Sequence, residues 1–134
     1  MRNSIIMLTR KIKLITESVD TLLIEILKDK NPKTGEAIWN ALPFESKAQL
    51  WGEEVYFEIP VTLKLETSQV EVEVGDVAYW PPERCMCIFF GRTPSSINNK
   101  PRAYSPVNVF GKVINNVKML KNVKEGKKLR VEKA

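Results

Sequence analysis

At 134 residues, with 43 % hydrophobic and 28 % charged side chains and a formal net charge of +5, the chain is predicted to form one globular domain over residues 1–134, which excludes disordered and fibrous proteins. Its longest apolar runs, such as "SIIML" and "CMCIFF", are far shorter than the roughly 18 residues of a membrane span, so no membrane partner is expected. The chain contains no histidine, which excludes Ser-His and Cys-His nucleophilic catalysis and a histidine-ligated zinc site.

The N-terminal sequence "MRNSIIMLTRK" has neither the long apolar core nor the small-residue cleavage site of a secretory signal. We therefore expect a cytoplasmic protein. Residues 1–9 are predicted to be a disordered or dispensable extension, and the start of the chain is left open between Met1 and Met7.

Two β-rich segments come next, "KIKLIT" and "DTLLIEIL", and the polar "ESV" between them indicates a hairpin. The following segment, "NPKTGEAIWNAL", begins with the helix-start signals Asn31, Pro32 and Thr34 and is stopped by Pro43. These signals predict a short helix near residues 35–42.

The middle of the chain predicts further strands. "AQLWGEEVYFEIPV" is interpreted as two strands that turn near Gly52. "QVEVEVGDVAYW" alternates valine with glutamate as far as Gly75 and Asp76, which is typical of a strand with one solvated face. The nearly continuous apolar run "RCMCIFFG" predicts a central buried strand.

The two cysteines, Cys85 and Cys87, lie two positions apart on this predicted strand, so their side chains point to one face and are too far apart for an easy disulfide. We predict that both are reduced and buried as small apolar core residues. Because no second cysteine pair accompanies them, we expect no metal site. We also expect no cofactor.

The polar segment "RTPSSINNKPRAYSP" is the longest irregular stretch, and loops of this length often carry function. Beyond it, "VNVFGKVI" predicts a strand, "NVKMLKNV" a short amphipathic helix near 115–123 capped by Gly126, and "KKLRVEK" a closing strand. About eight or nine strands with two short helices favour a closed antiparallel barrel over a parallel sheet.

The positive charge is concentrated at the C-terminal end. Residues from Lys112 onward contain eight Lys or Arg and two Asp or Glu, whereas residues 1–111 contain thirteen and fourteen. Nucleic-acid-binding surfaces interleave aromatic residues with basic ones, and this segment has no aromatic residue. We interpret it as a solvated face and expect no nucleic-acid partner.

Four segments together resemble a known family: "WGEEVYFEIPV", "EVGDVAYWPP", "CIFFGRTPSS" and "SPVNVFGKV", which extend over residues 51–113. In combination they are similar to a prokaryotic family of small cyclophilin-like proteins, a domain of unknown function with the cyclophilin barrel fold. The resemblance implies a mainly β protein, a closed antiparallel eight-stranded barrel with two short capping helices.

Cyclophilins isomerise X-Pro bonds with an arginine that polarises the prolyl amide beside an apolar proline pocket. By this resemblance Phe90 corresponds to a phenylalanine of the pocket, and Val107 takes the place of the pocket histidine. The pocket tryptophan falls in "SSINNK", which has no aromatic residue, and the catalytic arginine falls on Phe57 or Glu58. The resemblance therefore implies an apolar pocket that lacks its catalytic cation.

Amphipathic aromatic residues near prolines and turns, among them Trp51, are typical of a ligand-facing surface. We predict a concave apolar site with Phe90 as its wall, aromatic side chains at its rim and an arginine available for an anionic group. The predicted ligand-binding residues are Phe90, Tyr56, Tyr79, Trp80, Arg84 and Arg102.

Two other pairs of polar residues are interpreted as structural. Glu53 and Glu54 are adjacent, so on a strand they face opposite sides and do not form an acid and base couple, and we interpret them as part of a solvated turn. Ser95 and Ser96 are expected to shape the turn after Pro94.

Three functions stay open at this point. The preferred interpretation is a small-ligand or peptide-binding module without efficient prolyl isomerase activity, whose partner is a small molecule or a peptide. The alternatives are a divergent peptidyl-prolyl cis-trans isomerase and an interaction or assembly protein. The sequence leaves the oligomeric state open.

Overall fold

Ten β-strands, one α-helix and two 3-10 helices make up the computed structural model of the protein, which describes residues 9–134. The strands are β1 (Arg10–Thr16), β2 (Val19–Ile26), β3 (Phe44–Lys47), β4 (Gln49–Leu50), β5 (Glu54–Glu58), β6 (Gln69–Glu71), β7 (Asp76–Trp80), β8 (Cys85–Phe89), β9 (Arg102–Val113) and β10 (Lys128–Lys133). Helix α1 spans Pro32–Ala41, and the 3-10 helices span Pro81–Glu83 and Val117–Asn122. The predicted N-terminal extension lies, apart from Thr9, outside the described residues.

All strand pairs are antiparallel and follow the order β3-β10-β1-β2-β9-β7-β8-β5-β4, with β6 paired to β9. The predicted mainly β, antiparallel architecture is confirmed, but the sheet has ten strands instead of eight, because the chain adds two very short ones, β4 and β6. The two ends of the order, β3 and β4, are separated in the chain by Ala48 alone. Within residues 9–134 no hydrogen-bonded ladder joins β3 to β4.

The predicted N-terminal hairpin is confirmed. Strands β1 and β2 pair with Ile12 opposite Ile24 and Leu14 opposite Leu22, and all four side chains are buried. Alternate residues of a strand point to the same face, so this spacing gives the hairpin one continuous apolar face. That face packs into the larger of two hydrophobic clusters, which we call the larger core.

Helix α1 covers most of the predicted range 35–42 and begins before it. Asn31 precedes the helix with a left-handed φ of 49°, and its side chain does not cap the helix. Instead, its Nδ2 donates to the Val109 carbonyl at 2.7 Å, and its Oδ1 accepts from the Thr67 N–H at 2.6 Å. Asn31 therefore ties the start of α1 to β9 and to the segment before β6.

The second predicted helix, near 115–123, is a 3-10 helix over Val117–Asn122. The Asn116 side chain accepts a backbone N–H at its start, and the Val123 N–H donates to the Leu120 carbonyl, three residues back, at its end. Six residues are too few for a stable α-helix without more extensive packing. None of the helices in the described part of the chain is long and apolar enough to cross a membrane.

Strand β8 is buried on both faces, as the apolar run around the cysteines predicts, and the neighbouring β7 is buried on both faces as well, although its segment predicts one solvated face. Alternate residues contribute to the larger core: Val77, Tyr79, Met86 and Ile88. The residues on the other face join what we call the smaller cluster: Val72, Ala78, Cys85, Cys87, Phe89, Ala103, Val107 and Val109. Both cysteines are buried there without a disulfide, in agreement with the prediction.

The irregular segment predicted for residues 92–106 is shorter in the structure, because β9 already begins at Arg102. Between the two residue pairs that join β6 to β9, one residue of β6 faces the four residues 103–106 of β9. We call residues 103–106 the β9 bulge. Pro106 fits there because a bulge leaves residues outside the hydrogen-bonded ladder.

Candidate functional site

A cavity of about 270 Å³ lies on the side of the sheet that carries the smaller cluster. It is walled by β5, β7, β8 and β9, by the turn after β4 and by the 3-10 helix after β7. The nine lining residues are Trp51, Glu54, Tyr56, Trp80, Glu83, Cys87, Ala103, Tyr104 and Val107. Because three of them also belong to the smaller cluster, the inner wall of the cavity is continuous with a packed core.

The strand register explains how residues from three strands meet at this wall. Tyr56 on β5 lies opposite Cys87 on β8, and Cys87 lies opposite Ala78 on β7. Glu54 is two residues before Tyr56, so its side chain points to the same face of the sheet. This part of the wall is therefore built on paired strands, which makes it a rigid support for a ligand.

Three aromatic rings meet at the cavity. The Tyr104 ring centroid lies 5.9 Å from that of Trp51 and 6.1 Å from that of Trp80, with interplanar angles of 84° and 87°. These are edge-to-face contacts, in which the positive edge of one ring meets the negative face of another. The Trp80 Nε1–H donates to the Ser105 Oγ at 2.7 Å, which orients the indole. We call Trp51, Trp80 and Tyr104 the aromatic trio.

Two backbone irregularities bring the trio together. The β9 bulge carries Tyr104, whose side chain is 72 % exposed. In the turn after β4, the Trp51 N–H donates to the Glu54 carbonyl at 3.0 Å and the Glu54 N–H donates to the Trp51 carbonyl at 3.2 Å. Gly52 is needed in this turn, since its φ is 59° and a Cβ there would lie 2.7 Å from the Pro94 Cδ. The turn predicted near Gly52 is confirmed.

Glu54 is a buried carboxyl group in the cavity wall, only 6 % exposed. Burial raises the pKa of Glu54 to about 7, and a hydrogen bond from the Cys87 thiol offsets part of that rise. Burial and the Glu54 charge raise the pKa of Cys87 well above its usual value. The Tyr56 pKa is also raised, first by burial and then by the charge of Glu83. The wall therefore disfavours the ionised forms of all three groups.

The two arginines that were predicted to bind an anionic group form ion pairs outside the cavity. Arg84 Nη2 lies 2.8 Å from Glu58 Oε2, and Arg102 Nη1 lies 3.4 Å from Glu71 Oε2. Neither arginine lines the cavity, and among its nine lining residues two are glutamates and none is basic. An anionic ligand would thus meet like charge in this cavity.

Tyr79, predicted at the rim, lies in the larger core instead. Its side chain is fully buried; the hydroxyl donates to the Val61 carbonyl at 2.6 Å and accepts from the Leu63 N–H at 3.2 Å. The reason is strand alternation, because Tyr79 and Trp80 are consecutive on β7 and must point to opposite faces. Tyr79 fixes the segment after β5 and does not reach the cavity.

Phe90, predicted as the cavity wall, is half-buried and packs against the larger core. The preceding residue, Phe89, is the one that faces the smaller cluster. Of the six predicted site residues, the structure brings Tyr56 and Trp80 together at the cavity and places the other four away from it.

Several residues that line the cavity were not predicted from the sequence. The interpretation of Glu53 and Glu54 as a solvated turn is wrong for Glu54, which begins β5 and is buried. A signal was available, since Glu54 is in phase with Tyr56 along the strand pattern. For Tyr104 no local signal exists, because its position depends on the long-range pairing that creates the β9 bulge.

The structure also shows where the three positions that the resemblance assigns to the pocket histidine and the catalytic arginine lie. Val107, at the position of the pocket histidine, lines the cavity and is buried. Phe57, one candidate position for the catalytic arginine, is fully buried in the larger core. Glu58, the other candidate, is exposed and paired with Arg84. Of the positions that the resemblance assigns to the prolyl pocket and its catalytic group, Val107 lines the cavity, whereas Phe90, Phe57 and Glu58 do not.

Comparisons with known proteins agree with this architecture. The cyclophilin-like family matches residues 10–132 of the chain. Among solved structures, the chain is similar to a hypothetical protein from Archaeoglobus fulgidus determined in solution, with 40 % sequence identity, a TM-score of 0.81, and coverage of 94 % of this chain and 95 % of that chain. A search of curated proteins found no match.

Proposed function

The chain belongs to the cyclophilin-like family, and on that premise we propose that it is a small-ligand or peptide-binding module without efficient prolyl isomerase activity. The cavity of about 270 Å³ carries this proposal, because it combines aromatic walls with a few polar groups, the usual composition of a ligand site. Its support on paired strands favours a preformed site, which lowers the cost of ordering on binding.

The missing cation argues against isomerase activity. Rotation about a peptide bond faces a barrier of about 18–20 kcal/mol, and the cyclophilin mechanism lowers it by polarising the prolyl amide with an arginine. In this cavity the charged lining groups are Glu54 and Glu83, which would repel the developing negative charge of a polarised carbonyl. The cavity offers aromatic and aliphatic surface for binding a ligand, but no cation to assist rotation.

We also propose that the sheet closes into a barrel. The two ends of the strand order, β3 and β4, are joined by Ala48, whose N–H donates to the Lys127 carbonyl at 2.9 Å and whose carbonyl accepts the Gly126 N–H at 2.8 Å. Ala48 is fully buried, so the connection between the two ends of the order is packed against the core.

Two measurements test the proposed function. A coupled isomerisation assay on Ala-Pro and Leu-Pro tetrapeptides is expected to give the uncatalysed rate. Separately, two-dimensional ¹H–¹⁵N NMR spectra are recorded while the protein is titrated with a panel of these peptides and of cationic, neutral and anionic small molecules. We expect at least one member to shift the indole N–H signals of Trp51 and Trp80.

The matched variant is Tyr104→Leu, which removes one ring of the trio at a largely exposed position, so folding is expected to be intact. The shifts of Trp51 and Trp80 should weaken in this variant. Isomerisation at cyclophilin-like rates, or a panel in which nothing shifts either indole, would show that the proposed function is wrong.

A further inference from the structure

We infer that the ligand is a small organic cation, whose ammonium group is bound by the aromatic trio with Glu54 as its counter-charge. The inference rests on the proposed binding function and specifies its ligand. It follows from three properties of the cavity: the arrangement of its rings, the sign of its charge and its size.

The rings provide the first argument. The faces of Trp and Tyr carry negative partial charge, and a cation within about 6 Å of such a face is attracted to it. Tyr104 is nearly perpendicular to both Trp51 and Trp80, and all three rings line the same cavity. Perpendicular aromatic walls of this kind suit a rounded alkylammonium group better than a flat ligand, which would stack on a single face.

The charge of the cavity provides the second argument. Glu54 is almost fully buried, and an ionised carboxylate in such a place is costly unless it is paired. Its hydrogen-bonding partner is the thiol of Cys87, a weak donor without charge. A bound cation would supply the missing positive charge, in keeping with the raised Glu54 pKa, which reports that the ionised form lacks compensation.

Other ligand classes fit less well. Anions are disfavoured because Arg84 and Arg102 are paired with Glu58 and Glu71 outside the cavity. A neutral apolar ligand would cover Glu54 without compensating its charge. Hard metal ions require several oxygen ligands, whereas most of this wall consists of rings and aliphatic groups.

Size limits the ligand further. Pockets for drug-sized molecules have volumes of roughly 300–1,000 Å³, and this cavity has about 270 Å³. The space suits a head group such as trimethylammonium. Because Tyr104 is largely exposed, the cavity is open on the side of the β9 bulge, where the rest of the ligand can leave it.

The test compares choline with 3,3-dimethylbutan-1-ol, a neutral molecule of the same shape in which carbon replaces the quaternary nitrogen. Both are titrated against ¹⁵N-labelled protein at pH 8, and the indole N–H signals are followed. Choline should shift the signals of Trp51 and Trp80 but not that of Trp39, which lines a different cavity. The neutral analogue should bind about tenfold more weakly or worse.

Three variants complete the design. Glu54→Gln removes the charge and keeps the shape, and it should weaken choline binding about tenfold while leaving the neutral analogue unaffected. Tyr104→Leu should also weaken choline binding. Because Tyr104 is largely exposed, this variant should fold normally even if Glu54→Gln does not. Glu17→Gln, at an exposed carboxylate that does not line the cavity, is the matched charge control and should bind like the wild type.

The outcomes separate the two proposals. Equal binding of choline and its neutral analogue, or unchanged choline affinity in Glu54→Gln, overturns the cation inference and leaves the binding function standing. Shifts caused only by anions or by proline peptides do the same. If no member of the panel shifts Trp51 or Trp80, both the inference and the proposed function are wrong.

Discussion

Tyr79 and Trp80 are consecutive residues of β7, yet Tyr79 is fully buried in the larger core and Trp80 lines the cavity on the other face of the sheet. Substitutions at the two positions therefore test different properties of the protein. A change at Tyr79 reports on stability, whereas a change at Trp80 reports on the cavity.

The Tyr79 hydroxyl is expected to stabilise the fold. Tyr79→Phe keeps the ring but leaves the Val61 carbonyl and the Leu63 N–H without this partner, so we expect a loss of about 1–2 kcal/mol in the free energy of unfolding. Urea denaturation measures it. The control is Tyr104→Phe, which removes the hydroxyl of a largely exposed tyrosine and should change stability by less than about 0.5 kcal/mol. Equal effects of the two variants would contradict the assigned role of Tyr79.

Phe90 is expected to matter for packing and not for ligand binding. Phe90→Ala removes a half-buried ring from the larger core and should destabilise the protein by about 1–3 kcal/mol. Ligand-induced shifts of the Trp51 and Trp80 indole signals should persist, because Phe90 does not line the cavity. If these shifts were lost in a variant that is still folded, Phe90 would have to be assigned to the ligand site.

Glu54 should make stability fall as the pH rises. Its pKa is raised from 4.5 to about 7 in the folded state, so between these values the folded protein binds more protons than the unfolded chain. The contribution of Glu54 to the free energy of unfolding is fully present below about pH 4.5 and is lost as the pH rises through about 7. This contribution is about 3 kcal/mol at most. The unfolding free energy of the wild type, measured in urea from pH 5 to pH 8, should decline more steeply than that of Glu54→Gln. Parallel curves would show that Glu54 is not the group responsible.

Both cysteines should resist labelling in the native state. Burial raises the pKa of Cys85 to about 12 and that of Cys87 well above its usual value, so neither supplies an accessible thiolate near neutral pH. A chromogenic disulfide reagent should react slowly with native protein and rapidly with both thiols in denaturant. Rapid labelling of the native protein, or stoichiometric zinc in elemental analysis, would contradict this prediction.

Those parts of the fold that depend on local pattern were accessible from the sequence. The hairpin of β1 and β2 follows from alternating apolar residues, and β8 follows from a continuous apolar run. The same alternation also places Tyr79 and Trp80 on opposite faces, and likewise Phe89 and Phe90. That Trp80 and Phe89 lie on the same face follows from the register between β7 and β8.

Other parts of the site depend on contacts between distant residues. Tyr104 reaches Trp51 because β6 pairs with β9 in an irregular register, and no short stretch of sequence encodes a register. Glu54 is buried because β4 and β8 pair with β5 on either side, so the phase with Tyr56 indicates its face, but its degree of burial depends on these long-range pairings.

The strands at the two ends of the sheet order have a consequence for how the protein behaves in concentrated solution. β3 contains four residues and β4 only two, so the ends of the order expose few free backbone donors and acceptors. Long exposed edges are templates on which strands of other chains can add, and aggregation often begins there. End strands as short as β3 and β4 offer other chains little to pair with, which protects these two ends of the order against edge-to-edge association.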